Sequence, residues 1–141
     1  MNKIIRNSLA VLIGLFLGSL ANMGLVMVSG SVIPPPEGAD NTTMEGLRAS
    51  MHLFEAKHFI FPFLAHSVGT FVGAFITTLV AVNHSVKFAY VIGLFFFLGG
   101  LTNIISLPSP TWFTVLDLGL AYFPMAWLGG NFAQFVYKKE H

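Results

Sequence analysis

Long apolar runs separated by short polar breaks dominate this chain. Four runs are long enough to cross a bilayer, which takes roughly 20 residues each. They cover about residues 7–30, 59–82, 86–107 and 113–137. Little chain remains outside them, so the pattern predicts one all-α membrane domain over residues 1–141 with four transmembrane helices. The first run has a basic start at Lys3 and Arg6, and Ser19-Leu20-Ala21 looks like a signal-peptide cleavage site. Its apolar stretch continues to Val32, too long for a signal peptide's apolar core. We therefore read it as a retained helix.

The longest break, residues 31–58, opens with Pro34-Pro35-Pro36-Glu37-Gly38. Consecutive prolines favour an extended backbone and forbid helix. Asp40 or Asn41 is then placed to cap a new helix, with Glu45 in its first turns. Met44, Leu47, Met51 and Phe54 recur at helical spacing, which predicts a short amphipathic outer helix at the membrane interface.

The first and third runs share a signature. Residues 17–23, Leu-Gly-Ser-Leu-Ala-Asn-Met, align with residues 98–104, Leu-Gly-Gly-Leu-Thr-Asn-Ile. The second and fourth echo each other more faintly: Glu55 precedes Pro62 by seven residues, and Asp117 precedes Pro124 by seven. The pattern predicts two pseudo-repeated hairpins about an axis along the membrane normal. Asn22 would then match Asn103, and Glu55 would match Asp117. Chance recurrence among few apolar residue types is the alternative.

Composition narrows the class. The chain is 55% hydrophobic and 9% charged, with fifteen Phe and fourteen Gly. Soluble domains carry about a quarter charged residues. With no Cys there is no disulfide, thiolate metal site or cysteine nucleophile, and a net charge of +1 gives no footprint for nucleic acid. Lys3, Arg6, Lys87, Lys138 and Lys139 fall on one side of the predicted membrane, Arg48 and Lys57 on the other. Five against two predicts cytoplasmic termini in a bacterial inner membrane. Trp112 and Tyr137 fit interfacial aromatic belts at opposite ends of the fourth run. His84 and His141 lie at cytoplasmic ends and carry no signal.

Candidate chemistry gathers between His52 and His66. On one continuous helix over residues 52–73, His52, Glu55, His58, Pro62 and His66 share an arc of roughly 120°. Gly69 and Gly73 share that arc, so the imidazoles would look into the bundle, with a kink at Pro62. His52, Glu55 and His58 are candidate metal ligands by residue type. No second Glu-x-x-His accompanies them for a paired carboxylate site, and no cofactor is predicted. A solvated interfacial helix is the favoured account of His52 and His58. His66 lies deeper, where a polar group needs a partner. Asp117, Asn22 and Asn103 are the candidates, and a His66–Asp117 pair would form a proton or cation site. A single structural hydrogen bond across helices would account for His66 equally well. Gly14 with Gly18, and Gly69 with Gly73, have the small-xxx-small spacing of close helix packing.

Residues 34–38, 57–66, 107–113 and 124–130 together resemble an uncharacterised family of small bacterial four-helix integral membrane proteins. The resemblance implies the fold and no activity, substrate or catalytic residue. The chain departs from four-helix multidrug exporters, which keep a lone Glu in the first span where this chain has Asn22. It also lacks the cysteine pair of quinone-reducing bundles.

Three functions fit these residues. One is an oligomeric transporter or channel-like protein for a small solute, cation or proton. Another is a non-catalytic subunit or assembly factor among companion membrane subunits. The third is a membrane metal-binding protein or metalloenzyme using the His/Glu cluster.

Overall fold

The computed structural model describes residues 1–140, and no strand occurs among them. His141 lies outside the described residues. Six α-helices follow in order: α1 (Lys3–Val32), α2 (Met44–Ser50), α3 (Ile60–Val80), α4 (Lys87–Ser106), α5 (Thr111–Leu120) and α6 (Phe123–Glu140). Tight 3-10 turns cover Met51–Leu53, Ala56–Phe59 and Val82–His84. Helix α3 is the centre of the bundle and packs on α1, α4 and α6.

Three helical segments are long and apolar enough to cross a membrane: Lys3–Val32, Ala56–Val80 and Lys87–Ser106. The fourth expected span is two helices, α5 of 10 residues and α6 of 18, divided at Ala121 and Tyr122. Pro124 explains the division. It has no N–H to give the Leu120 carbonyl, and its ring disfavours continued helix before it. As the second residue of α6 it sits where a missing N–H costs nothing.

The same reasoning corrects the expected kink at Pro62. This proline is the third residue of α3 and helps start the helix rather than bend it. The continuous helix expected from residue 52 is also absent. Phe54 and Glu55 adopt extended backbone angles, so His52 and His58 sit on separate 3-10 turns. The shared arc of imidazoles therefore does not form. The cap of the outer helix is corrected too: Thr43, not Asp40 or Asn41, caps α2, its hydroxyl accepting from the Gly46 N–H at 2.9 Å. Asp40 instead accepts from the Thr42 amide and hydroxyl, forming the turn before the cap.

Close helix contact explains the glycine spacing. A Cβ on Gly14 would lie 2.6 Å from the Gly73 carbonyl oxygen, and one on Gly18 the same distance from that of Gly69. Only glycine lets α1 and α3 backbones meet in this way. Thr77 adds a hydrogen bond across the seam to the Ala10 carbonyl at 3.1 Å.

Arginines close two helix ends. Arg6 Nε donates to the Val80 carbonyl at 2.8 Å, at the end of α3. Arg48 donates to the Ser106 carbonyl at the end of α4 and so fastens the outer connection over the bundle. Both guanidinium groups meet carbonyls left without helical partners, at the negative end of the helix dipole.

Candidate functional site: an imidazole on a buried carboxylate and phenol

Aromatic packing places the site. Phe59, just before α3, lies against Phe113 on α5, with ring centroids 4.8 Å apart. Phe113 and Asp117 are the two buried residues of α5 and stand one turn apart, on one face. His66 lies seven residues beyond Phe59, on the matching face of α3. The Phe59–Phe113 contact therefore carries Asp117 to His66.

His66 Nδ1 is 2.8 Å from Asp117 Oδ1 and 3.0 Å from Oδ2. The Tyr122 hydroxyl donates to Asp117 Oδ2 at 2.9 Å and lies 3.0 Å from His66 Nδ1. Asp117 is 2% exposed and Tyr122 1%. A buried carboxylate needs such partners, because its desolvation is otherwise uncompensated. One donor assignment serves the cluster: His66 Nδ1–H points to the carboxylate, and the phenol O–H sits on Oδ2. His66 Nε2 then holds the free lone pair, and no hydrogen bond engages it among the described residues.

The helix break supplies Tyr122. It follows α5 by two residues, and its ring stacks on the imidazole at 5.7 Å between centroids. Gly100 on α4 makes room for it: a Cβ there would lie 2.3 Å from the phenol oxygen. The break itself is buried: Ala121 and Tyr122 are almost fully covered, and Tyr122 lines a groove beside His66.

Two spaces meet at His66. A cavity of about 140 Å³ lies under the outer connection, bordered by Met51, His58, Asn103, Asp117 and His66. A wider groove of about 550 Å³ runs between α1 and α4, with Asn22, Asn103, His66 and Tyr122 along it. Asn22 and Asn103 thus share the groove with His66 but do not bond to it. The Asn22 amide oxygen is buried with no partner, at a cost of about 1–3 kcal/mol.

Of the other predicted ligands, Glu55 and His58 meet in a capping box at the turn before α3, away from His52 and from the His66 cluster. Glu55 is exposed beside Lys57, 3.7 Å away, and does not mirror buried Asp117. His58 Nδ1 accepts from the Glu55 N–H at 2.9 Å. His52 Nδ1 lies 3.0 Å from the Ala49 carbonyl. Among the described residues no three His, Asp or Glu side chains are placed to share a metal ion.

Sequence reasoning missed Tyr122 and Gly100. The available signal was Pro124, which marks a helix start and so a buried loop at residues 121–122.

No family model matches the chain, and no curated protein or solved structure shows significant similarity to it.

Proposed function

We propose that the protein is a small membrane transporter or channel-like protein that passes a proton, a small cation or a small solute at His66. The observation that carries this reading is the half-buried His66 held by buried Asp117 and Tyr122 at a helix break, with a free imidazole nitrogen and two spaces meeting at the ring. Discontinuous helices near the membrane midplane are where transporters place their sites. An imidazole oriented by a carboxylate can take up a proton at Nε2 while the carboxylate balances the charge.

In this reading α1, α3, α4 and the broken α5–α6 pair cross a bacterial inner membrane as two hairpins. Both termini are cytoplasmic, by the five-to-two distribution of basic residues. Helix α1 buries only Ala10, Gly14 and Gly18 of its 30 residues. Further copies of the chain, with lipid, cover the remainder.

Proton flux into proteoliposomes holding a trapped pH indicator tests the proposal. Wild-type protein is expected to dissipate an imposed pH gradient, and His66→Ala and Asp117→Asn to lose that activity. Flux equal in all three would sink the reading.

The bare face of α1 also supports a second reading, a non-catalytic subunit held among companion membrane proteins. Purification in mild detergent separates the two: stoichiometric companions favour this second reading, and a homo-oligomer favours the first.

A further inference from the structure

The groove between α1 and α4 has an unusual lining for a surface beside lipid. Its floor is His66 and Tyr122, and its polar walls are Asn22 and Asn103. The Asn22 amide oxygen has no partner, and neither does His66 Nε2 among the described residues. Unpaired polar atoms in such a place are costly unless something bonds to them. No Lys or Arg lines the groove, so nothing there compensates a phosphate or carboxylate head. Amide and imidazole groups without a fixed positive charge suit an uncharged carbonyl or hydroxyl. The rings of Phe95, Phe96 and Tyr122 flank the same space and suit a flat head. Phe95 is 53% exposed, so the groove opens sideways toward the surrounding apolar phase. Its volume falls within the range of about 300–1,000 Å³ usual for small-molecule sites.

We propose that this groove binds a lipid-soluble ring compound with an uncharged oxygen head, the chemistry of a quinone or quinol. Its head oxygen bonds at His66 Nε2; as a carbonyl it also accepts from the Asn22 amide N–H, and as a quinol hydroxyl it donates to the Asn22 amide oxygen, while its tail leaves along the side of α4. A quinone carbonyl accepts from a protonated Nε2; a quinol hydroxyl donates to a neutral one. The proposal shares His66 with the proton reading above and rests on it only for that exchange of roles. Binding is measured without flux, so either can fail alone.

Gly99 offers a clean block. It lines the groove, and a Cβ added there meets nothing within 4 Å. Gly99→Leu therefore fills the groove while leaving the His66–Asp117–Tyr122 contacts in place. The experiment is calorimetric titration of purified protein in detergent with a decyl-substituted benzoquinone, with dodecanol and dodecanoate as separate arms. Saturable binding of the quinone is expected, weakened at least about tenfold by Gly99→Leu and, independently, by Asn22→Leu. Dodecanol and dodecanoate are expected to bind more weakly than the quinone. No saturable quinone binding overturns the proposal. So does binding unchanged in both variants, or dodecanol or dodecanoate binding as tightly as the quinone. Thermal unfolding of each variant accompanies the titration. If Gly99→Leu unfolds early, Asn22→Leu and Asn103→Leu carry the test.

Discussion

Tyr122 Oη lies 2.9 Å from Asp117 Oδ2 and 3.0 Å from His66 Nδ1, so one hydroxyl touches both members of an acid–base pair whose carboxylate is buried. Tyr122→Phe keeps the ring stack and removes that contact. Asp117 then loses a donor in a dry setting, where a hydrogen bond to a charged group is worth about 1.5–3 kcal/mol. Unfolding in mixed detergent should show a loss of that order. A change within a few tenths would mean that the hydroxyl is not bonded as described.

Gly100 tests the same site from the opposite wall. A methyl group there would lie 2.3 Å from the phenol oxygen and 2.6 Å from Cζ. The ring is held in place by its hydroxyl's contacts with Asp117 and His66. Gly100→Ala should destabilise by about 1–3 kcal/mol through overpacking. Gly24→Ala is the control, since a Cβ there meets nothing within 4 Å. Equal stability of the two variants would contradict the packing.

The α1–α3 seam makes a sharper demand. Gly73→Leu places side-chain atoms against the Gly14 carbonyl, 2.9 Å from the added Cβ. The helices must part, with loss of the Thr77–Ala10 bond. Destabilisation above about 2 kcal/mol is expected, and cysteine cross-linking between α1 and α3 should fall with it.

Arg48 holds the outer connection to the end of α4 through the Ser106 carbonyl. Arg48→Ala should cost little global stability, about 1 kcal/mol, but should free residues 33–55. Limited proteolysis reads this directly: cleavage in that stretch should quicken while α3 and α4 stay protected.

Asp40 gives a pH prediction at an exposed position. The Thr42 hydroxyl, and then its amide, hold the carboxyl below its usual 3.8. For a depressed carboxylate, the stabilisation is present above the unfolded pKa and lost as pH falls through the folded one. The turn before α2 should therefore loosen only below about pH 4. Carboxyl NMR titration should show Asp40 below the ordinary aspartate value, moving back toward it in Thr42→Val.

Some of this was legible in the sequence and some was not, for identifiable reasons. The run expected at 59–82 became Ile60–Val80, and that at 86–107 became Lys87–Ser106, because uninterrupted apolar length specifies such helices. The break at residues 121–122 leaves no trace in hydropathy, since Leu120, Ala121, Tyr122 and Phe123 are all apolar or aromatic. Only Pro124 signals it, and its match to Pro62 hid that signal. His66 and Asp117 stood out as ionisable groups inside apolar runs, and they meet. Glu55 stood out equally by spacing but sits in an extended stretch on the surface. Periodicity assumes the helix it is used to infer, and Phe54-Glu55 is where that assumption ends. Tyr122 looked like one more aromatic, because only the fold turns its hydroxyl toward a carboxylate.

The divided last segment bears on how the chain is made. Helix α5 has 10 residues, about 15 Å of rise, half of the roughly 30 Å apolar layer, and it carries Asp117. Placing an aspartate at the centre of an inserting helix costs about 2.5–3.5 kcal/mol, and α5 has little apolar length to set against it. In the membrane reading α3 leaves the ribosome well before α5, so His66 is already in place when Asp117 arrives. In that same reading the earlier helices recruit the final pair, which does not insert on its own merit. The outcome expected of that reading is that deleting α3, or replacing His66 with an apolar residue, strands α5 outside the bilayer during synthesis, a defect of assembly rather than of the finished protein.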